Sequence, residues 1–470
     1  MISTSLGDVA TIVQGRLHNA DPNTRVTGKV EFDSRNVGPG DVFLAIAGEH
    51  ADGHDFAGRA VENGAVGVLA QHELDLPCVL ITDPMLAITQ LASTMASRLS
   101  AIRIGITGSS GKTSTKDLLA QVLAAAGPTV APPGSFNNEL GFPYTVLMAD
   151  ADTSFLVLEA SARGIGHIRA LSAIAQPRIG IVLNVGRAHL GEFGSVAAIA
   201  QAKGELVEAL PAATEGGVAV LNADDPRVIA MASRTTATIR TFGVGESLAG
   251  SPLDVAARDV ALDAMGRASF RLQARGEHHP VQLRLHGLHH VSNALAAAAA
   301  AVECGLPVAE VARSLSEATA QSHWRMEVVE TTDDITIVND AYNANPESMQ
   351  TAITATVQLA HGRRTVAVLA HMAELGPASD AAHEALGKLA MDAGISRLLV
   401  VGEHARPILL GAAGGPGQSD QSEWVPDVRA AIDRLSDILE PGDVVLIKGS
   451  RAAGMERVAH ALITRRGARP

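Results

Sequence analysis

Short runs of apolar residues, separated by segments with a helical spacing of apolar positions, make up most of the chain. Runs of strand length occur at residues 67–69, 79–82, 101–106, 155–158, 179–183, 218–221, 335–338, 365–369, 398–401 and 444–447. Helical periodicity is seen between such runs, as at residues 87–98 and 114–125. Strands that alternate with helices predict parallel, doubly wound sheets and therefore an α/β fold.

One stretch has a different pattern, which divides the chain further. Residues 260–286 alternate apolar and polar side chains, which predicts a small antiparallel sheet added to the parallel one. The whole pattern falls into three blocks, and we predict domains at residues 1–100, 101–320 and 321–470. Within the last block, residues 411–421 are rich in glycine, alanine and serine and are predicted to form a surface loop.

The most specific motif is the glycine-rich turn GITGSSGKTSTK, which lies between a predicted strand and a predicted helix. Such a turn points backbone N–H groups and the positive end of the helix dipole into one concavity, which binds phosphate. Lys112 would neutralise β/γ-phosphate charge and Thr113 would bind magnesium. The full P-loop pattern has a further glycine where this chain has Ile106, so an ordinary turn with a solvated lysine is the alternative. The predicted phosphate cradle comprises Gly108, Ser109, Ser110, Gly111, Lys112, Thr113 and Ser114.

Polar side chains follow the next two predicted strands of the central block. Glu159 comes directly after one strand, at the carboxyl edge where open α/β sheets bind ligands, and is a candidate magnesium ligand. A surface helix cap is the alternative. Asn184 and His189 follow the other strand, and a neutral imidazole can ligate a metal. A histidine in such a loop more often has a structural role. The prediction of a functional role for His189 therefore depends on its lying at the same sheet edge as Lys112 and Glu159.

Three further sites carry polar groups of interest. Tyr342 lies in the segment DAYNANP directly after a strand and could stack on a base or sugar, although the segment also suits a structural turn. Lys448 and Arg451 follow the strand at 444–447, where two cations favour a carboxylate or phosphate ligand. Lys203, on a predicted helix, would by residue type alone be a solvated cation.

Composition limits the class of protein. The 470 residues are 47% hydrophobic and 19% charged, which is typical of a globular protein of several domains. A net charge of -13 argues against nucleic acid or an anionic membrane as partner. No segment is long and apolar enough for membrane insertion, and the first residues lack a basic region, so we expect a cytoplasmic protein. Cys78 and Cys304 do not suggest a disulfide or zinc site, and the surface charge suits a monomer.

Taken in order, these motifs resemble those of the Mur ligases of peptidoglycan synthesis, over nearly the full length. The resemblance implies an N-terminal domain for a UDP-sugar, a central ATP-binding domain and a C-terminal Rossmann-like domain that closes over the site. It rests on DSR (33–35), GDVFLAIAG (40–48), the P-loop, NNELGFP (137–143), Glu159, 184–189, Lys203, 289–293, RME (325–327), DAYNANP (340–346) and KGSR (448–451).

The resemblance also implies the chemistry, which is ATP-dependent amide formation through an acyl phosphate. Segment 340–346 favours the family member that adds D-alanyl-D-alanine to UDP-N-acetylmuramoyl-tripeptide to form the pentapeptide. Implied catalytic residues are Lys112, Glu159, His189 and Lys203. Two magnesium ions are implied, on Thr113, Glu159, His189 and Lys203, the lysine that the family carbamylates. Further ATP contacts are implied for Asn293, Arg325, Asp340, Tyr342 and Asn343. Contacts with the other substrates are implied for Ser34, Arg35, Asn137, Asn138, Ser161, Arg163, Lys448 and Arg451.

Three alternatives are weighed against this interpretation. The Mur-type ligase that adds the third, diamino acid residue shares the N-terminal motifs but usually has another motif in its last domain. Folylpolyglutamate synthetase shares the central machinery but would not be expected to have this N-terminal domain. A nucleotide-gated switch needs only the P-loop, whereas anion-binding candidates in all three blocks favour the condensation of two substrates.

Overall fold

The protein consists of three α/β units, each built on its own main sheet. The structure, a computed structural model, describes residues 1–48, 51–245, 252–413 and 421–469. Its main sheets have five, nine and six strands, and a two-stranded sheet joins Thr4–Ser5 to Arg25–Val26. The strands of each sheet fall inside one of the three predicted domains. The domain boundaries themselves stay a prediction.

The first unit carries a mostly parallel sheet with helices packed on it. Its strands, in spatial order, are Arg16–His18, Cys78–Leu80, Gly67–Ala70, Val42–Leu44 and Val30–Glu31, the first being antiparallel to its neighbour. Its α-helices are Leu6–Ile12, Ala57–Glu62 and Pro84–Arg98, with a 3-10 turn at Gly53–Phe56. The last helix begins before the predicted residue 87, because the Asp83 carboxylate accepts from the N–H groups of Met85 and Leu86.

The second unit confirms the predicted doubly wound sheet with an antiparallel addition. Its strands, in spatial order, are Glu277–His286, Arg267–Ala274, Val255–Leu262, Thr238–Val244, Val218–Asn222, Ile179–Val182, Ile102–Thr107, Phe155–Glu159 and Thr129–Val130. The strand Arg267–Ala274 runs antiparallel to both of its neighbours, Glu277–His286 and Val255–Leu262, and all other neighbouring strands are parallel. The antiparallel strands therefore extend the parallel sheet instead of forming a separate one.

Helices cover both faces of this central sheet. They are Lys112–Ala124, Gly141–Val146, His167–Ala175, Leu190–Phe193, Val196–Glu208, Pro226–Ile229, His289–Glu303 and Val308–Glu317, with 3-10 turns at Ala213–Glu215 and Ala230–Arg234. On one face, the buried alanine run at 294–301 packs with Leu119 and Val122 of the helix after the P-loop. On the other face, one hydrophobic core continues from Leu6 and Ile88 of the first unit to Leu156 of the second. The first two units thus share a core.

The third unit is a second parallel sheet, as predicted. Its strands, in spatial order, are Glu327–Glu330, Thr336–Asn339, Val444–Lys448, Thr365–Ala370, Arg397–Val401 and Ser422–Val425, the first being antiparallel. Its α-helices are Pro346–Ala360, Ser379–Asp392, Pro407–Ala412, Val428–Ile438 and Glu456–Arg466, with 3-10 turns at Gly376–Ala378, Glu403–Ala405 and Arg451–Ala453. Of the predicted loop at 411–421, the first two residues belong to a helix, and residues 414–420 lie outside the described part.

Within the described ranges, none of the helices combines the length and the apolar character needed to cross a membrane.

Candidate active site

The predicted P-loop lies at the carboxyl edge of the central sheet and opens onto the site. It joins the strand Ile102–Thr107 to the helix Lys112–Ala124. Gly111 has φ +81°, and a Cβ there would come 2.5 Å from Asn293 Oδ1. Both the left-handed backbone and the close neighbour require glycine at this position. The free N–H groups at this helix start form an anion cradle.

Lys112 supplies a cation at the mouth of this cradle. Its Nζ donates to the carbonyl of Gly108 at 2.8 Å. Burial lowers the pKa of the Lys112 ammonium, the carboxylate of Glu159 raises it, and Arg325 lowers it. A desolvated ammonium is a strong partner for phosphate, because water competes less for its charge.

Glu159 is the last residue of its strand and lies beside the P-loop. The sheet register pairs it with Ile106, and its side chain is 1% exposed. Thr113 Oγ1 donates to Oε2 at 2.9 Å, and Asn137 Nδ2 donates to Oε1 at 2.6 Å. Among the described residues these partners are neutral, and Glu159 forms no ion pair. A buried carboxylate with only neutral partners fits a cation, and its oxygens suit magnesium.

The loop that follows the strand Ile179–Val182 is bound tightly to the P-loop. Asn184 Oδ1 accepts from the N–H of Ser110 at 2.9 Å, and its Nδ2 donates to the Ser110 carbonyl at 3.2 Å. Ser109 Oγ accepts from the N–H of Gly186 at 2.8 Å. The sheet edge therefore brings His189, which follows in this loop, to the same cavity as Lys112.

His189 meets a carboxylate of the third unit. Its Nδ1 lies 2.5 Å from Glu374 Oε2 and 3.8 Å from Glu192 Oε2. This nitrogen is buried, and no described atom meets it at regular hydrogen-bond angles. The contact with His189 lowers the pKa of the Glu374 carboxyl, although burial raises it. Within the described ranges, no three His, Cys, Asp or Glu side chains cluster as a metal site.

Lys203 is not the solvated cation that its residue type suggested. It lies on the helix Val196–Glu208 and is 5% exposed, and no hydrogen bond or ion pair joins it to another described residue. Burial lowers the pKa of this amine well below its ordinary value, and the nearby Lys112 ammonium lowers it further. The burial of Lys203 could have been predicted from the sequence, because helical spacing puts Lys203 on the same helix face as the buried residues Ile199 and Leu206.

The third unit brings its own loop to the cavity. Arg325 lies over the ring of Tyr342 at 4.1 Å from the centroid, and the Tyr342 hydroxyl contacts Ser135 Oγ of the second unit. Lys448 Nζ donates to Asp340 Oδ2 at 2.6 Å and to the carbonyl of Asn343 at 2.8 Å. This ammonium holds the 340–343 loop in place, so its charge is already compensated by a carboxylate.

One cavity of about 720 Å³ collects these groups, and all three units line it. Most of the predicted site residues lie on its wall: Ser109, Ser110, Gly111, Lys112, Thr113, Ser114, Asn137, Asn138, Glu159, Ser161, Arg163, His189, Asn293, Arg325, Asp340, Tyr342, Asn343, Lys448 and Arg451. Gly108 and Lys203 do not line the cavity, although the Gly108 carbonyl accepts from Lys112 Nζ and Lys203 is buried close enough to Lys112 to feel its charge. Ser34 and Arg35 are not brought to this wall.

Ser34 and Arg35 lie in the first unit, beside a residue that does reach the cavity. Arg35 is exposed and pairs with Asp33, whose pKa this arginine lowers to about 2. The Ser34 carbonyl accepts from Asn63 Nδ2 at 2.8 Å. Their neighbour Phe32 lines the cavity and packs edge-on against Phe136, with centroids 6.1 Å apart.

Sequence reasoning missed several residues of the wall. Phe32 and Phe136 each adjoin a motif that was recognised, so adjacency was a usable signal. His289 opens a helix whose Asn293 was predicted, and burial lowers its pKa to about 4. Glu374 has no such signal, because its contact with His189 depends on how two units pack together.

Comparison with known proteins covers all three units. The chain matches the Mur ligase family, catalytic domain, at residues 28–97, the Mur ligase middle domain at 106–301, and the Mur ligase, glutamate ligase domain, at 324–451. It is 46% identical to UDP-N-acetylmuramoyl-tripeptide--D-alanyl-D-alanine ligase of Mycobacterium bovis, over 98% of each chain. It is 34% identical to the ligase of that name from Escherichia coli, over 98% of this chain and 99% of the other.

Solved structures give the same family. MurF from Acinetobacter baumannii superimposes with a TM-score of 0.85 at 29% identity, over 98% of each chain. MurF ligase from Thermotoga maritima in complex with ADP has a TM-score of 0.78 at 29% identity, over 93% of this chain and 98% of the other. A P-loop, a buried Glu159 and a wall shared by three units are thus found on a fold that these relatives share over their full length. The chain belongs to the Mur ligase family.

Proposed function

We propose that this protein is an ATP-dependent amide ligase that joins D-alanyl-D-alanine to UDP-N-acetylmuramoyl-tripeptide. The product would be the UDP-linked pentapeptide of peptidoglycan precursor synthesis. The observation that carries the proposal is the single cavity onto which a P-loop, the first unit and cationic residues of the third unit all open. Relatives that carry this activity in their names match the chain over 98% of its length.

The phosphate end of the site lies at the P-loop. Its N–H groups would hold the β- and γ-phosphates of ATP, and Lys112 would neutralise charge that builds up on the transferred group. Thr113 and Glu159 would hold one magnesium ion, which fits the buried carboxylate and its neutral partners. Magnesium, when bound, neutralises phosphate charge and orients the oxygens.

A second ion would be held by His189 and a carbamylated Lys203. Because burial and Lys112 disfavour the charged ammonium, Lys203 would be a neutral amine that can attack carbon dioxide. The Nζ–C bond forms, one proton leaves the nitrogen, and the product is a carbamate anion. This reaction turns a neutral buried amine into an anion that offers two oxygen ligands to a metal ion.

The remaining residues would place the substrates. Asn293, Arg325, Asp340, Tyr342 and Asn343 would contact the nucleotide, with Tyr342 already held under the Arg325 guanidinium. The muramoyl peptide would lie against Asn137, Asn138, Ser161 and Arg163, with the sugar nucleotide reaching toward Ser34 and Arg35. Arg451 would meet a phosphate or the incoming dipeptide, and Lys448 would act mainly by holding the 340–343 loop.

The chemistry needs positioning and the exclusion of water more than covalent work by side chains. The peptide carboxylate attacks the γ-phosphorus, ADP leaves, and an acyl phosphate results. The dipeptide amine then attacks the acyl carbon, and phosphate leaves from the tetrahedral intermediate. Water would destroy the acyl phosphate, so the third unit, which contacts the P-loop side through Tyr342 and Ser135, has a reason to close.

The three predicted domains would divide this work. Residues 1–100 would bind the UDP-sugar, residues 101–320 would bind ATP, and residues 321–470 would close the site. Because described residues from all three units of one chain line the cavity, a monomer would suffice for catalysis. An enzyme that uses ATP and UDP-linked precursors would work in the cytoplasm.

The test is phosphate release from ATP and magnesium with defined acceptors. One reaction contains UDP-muramoyl-tripeptide with D-alanyl-D-alanine, a second contains UDP-muramoyl-dipeptide with a diamino acid, and a third omits the amine. We expect release only in the first. Release in the second would assign the preceding step of the pathway, and release without amine would support a switch ATPase.

A further inference from the structure

A loop of the third unit docks directly on the loop that carries His189. The N–H of Gly191 donates to the carbonyl of Glu374 at 3.1 Å. The Glu374 side chain reaches two loops of the second unit, with Oε2 2.5 Å from His189 Nδ1 and Oε1 3.6 Å from Arg163 Nη2. Glu374 thus joins the two units through its main chain and its side chain.

This docking depends on two glycines that face each other. A Cβ on Gly191 would come 2.6 Å from the nitrogen of Gly376 and 2.9 Å from the carbonyl oxygen of Glu374. A Cβ on Gly376 would come 2.9 Å from Gly191 Cα, and its φ of +57° also favours glycine. The two backbones therefore approach to a distance that no side chain would allow.

His189 and Glu374, which meet where the loop of the third unit docks on the loop of the second, both have left-handed backbones. His189 has φ +60° and Glu374 has φ +62°, and neither is a glycine. Such conformations persist where the surrounding structure determines them strongly, and they cluster at functional sites. Here each residue is held by contacts across the junction.

The other end of the same loop is also held by the third unit. Glu347 Oε1 accepts from the N–H of Arg187 at 2.8 Å, and a Cβ on Gly186 would come 2.9 Å from Glu347 Cδ. Both ends of the 186–191 segment are therefore fixed by glutamates of the third unit. Its geometry depends on whether that unit is docked.

We propose that Glu374 is a positioning residue that the third unit brings to His189, so that docking of this unit fixes the imidazole for its work at the site. Although the angles are not those of a regular hydrogen bond, the negative charge of a carboxylate 2.5 Å from Nδ1 favours the tautomer with its proton on Nδ1, which leaves the Nε2 lone pair free. The assignment of a site role to His189 rests on the proposed function. The effect of Glu374 on the tautomer of the His189 ring is independent of the proposed function and can be measured separately.

The experiment compares Glu374→Ala and Glu374→Gln with Glu192→Gln in the full chain. Glu192 is the matched control, because it lies 3.8 Å from the same nitrogen but belongs to the same loop as His189. We measure kcat, the KM values for ATP and the UDP-linked substrate, and the His189 tautomer by ¹⁵N NMR, with His189→Gln to assign the signal. Gly191→Ala tests docking with Glu374 left in place.

We expect kcat to fall about 10- to 100-fold in Glu374→Ala, with less loss in Glu374→Gln and KM values within about twofold. The ring should lose its Nδ1–H preference in Glu374→Ala and in Gly191→Ala but keep it in Glu192→Gln. Unchanged tautomer and kcat in Glu374→Ala would overturn the inference, and so would a rise in kcat, since Glu374 would then compete with ligands for His189. An inactive wild type would count against the proposed function, while the tautomer still decides this inference.

Discussion

Lys448 and Asp340 form a buried ion pair that joins the end of one strand of the third unit to the loop after its neighbour. The Nζ···Oδ2 distance is 2.6 Å, and the side chains are 3% and 14% exposed. Asp340 also accepts from the N–H of Met326 at 3.1 Å, so the pair ties together the segments that carry Arg325 and Tyr342.

Replacing one partner of this pair should therefore destabilise the third unit. In Asp340→Asn the Lys448 ammonium would stay buried without a compensating charge, and breaking such pairs costs about 3–5 kcal/mol. Urea unfolding of the wild type and the variant measures the free energy of unfolding. The matched control is Asp433→Asn, because Asp433 pairs with Arg429 at 3.6 Å where both side chains are exposed, and we expect it to change by less than about 1 kcal/mol. Equal losses in the two variants would contradict the prediction.

We predict that the negative charge of Glu159 makes the ligand-free protein less stable but is needed for activity. In Glu159→Gln the charge disappears, but the new amide can donate to the Thr113 hydroxyl and accept from Asn137, so the hydrogen bonds survive. We expect the free energy of unfolding without ligands to stay equal or rise by about 1–2 kcal/mol. Turnover should fall at least about 100-fold, since a cation site at the phosphates is lost.

Thermal melts and phosphate release on the same preparations check both halves of this prediction. Glu159→Ala is the comparison, because it removes the acceptors of Thr113 and Asn137 and should lose stability as well as activity. Turnover of Glu159→Gln near the wild-type rate would show that the carboxylate holds no essential ion.

Much of the fold was predictable, because it depends on local pattern. The strand Ile102–Thr107 and the helix Lys112–Ala124 follow from an apolar run, a glycine turn and a helical period. The antiparallel edge follows from alternation, although the order of its strands within the nine-stranded sheet does not, because strand order depends on distant packing. Helix starts were missed by a few residues where a cap such as Asp83 decides them.

The site was predictable where one strand end carries the chemistry and unpredictable where two units meet. Glu159 was predicted as a magnesium ligand from its place after a strand. The structure adds that its hydrogen-bond partners, Thr113 and Asn137, are neutral, which leaves its charge available for a cation. Lys448 was predicted to meet a substrate carboxylate or a phosphate, yet in the structure it pairs with a carboxylate of the protein itself, 108 residues away. The contact between His189 and Glu374 depends on how the second and third units dock. Hydrophobic periodicity along the chain does not predict that docking.

The linker between the second and third units should loosen when its anchor is removed. Gln121, on the helix after the P-loop, donates to the Thr319 carbonyl at 2.9 Å and accepts from its N–H at 3.0 Å. Gln121→Ala should speed amide exchange at Thr319 roughly fivefold or more, since each bond is worth about 1 kcal/mol. Hydrogen exchange read by mass spectrometry across residues 318–323 measures it. Gln321→Ala, which leaves both bonds in place, should show little change.

His289 should make the protein sensitive to acid. Burial lowers its pKa to about 4, Asp340 raises it, and Lys448 lowers it. Its ring also lies 4.2 Å from that of His290, whose pKa burial lowers further. A histidine in the unfolded chain has a pKa near 6.5. Between about pH 4 and pH 6.5, His289 is therefore protonated in the unfolded state but neutral in the folded state.

Stability should therefore fall as the pH drops from about 6.5 to about 4, with a slope of up to about 1.4 kcal/mol per pH unit from this group. Above about 6.5 both states are neutral at His289 and the penalty vanishes, and below about 4 it is complete and constant. His289→Gln should flatten the curve in this window, measured by urea unfolding at half-unit pH steps. His323→Gln, at a site where the side chain is 81% exposed, should leave the slope unchanged. If His289→Gln follows the wild-type slope throughout, the folded protein must bind a proton at His289 as readily as the unfolded chain does, and the acid sensitivity must come from other groups.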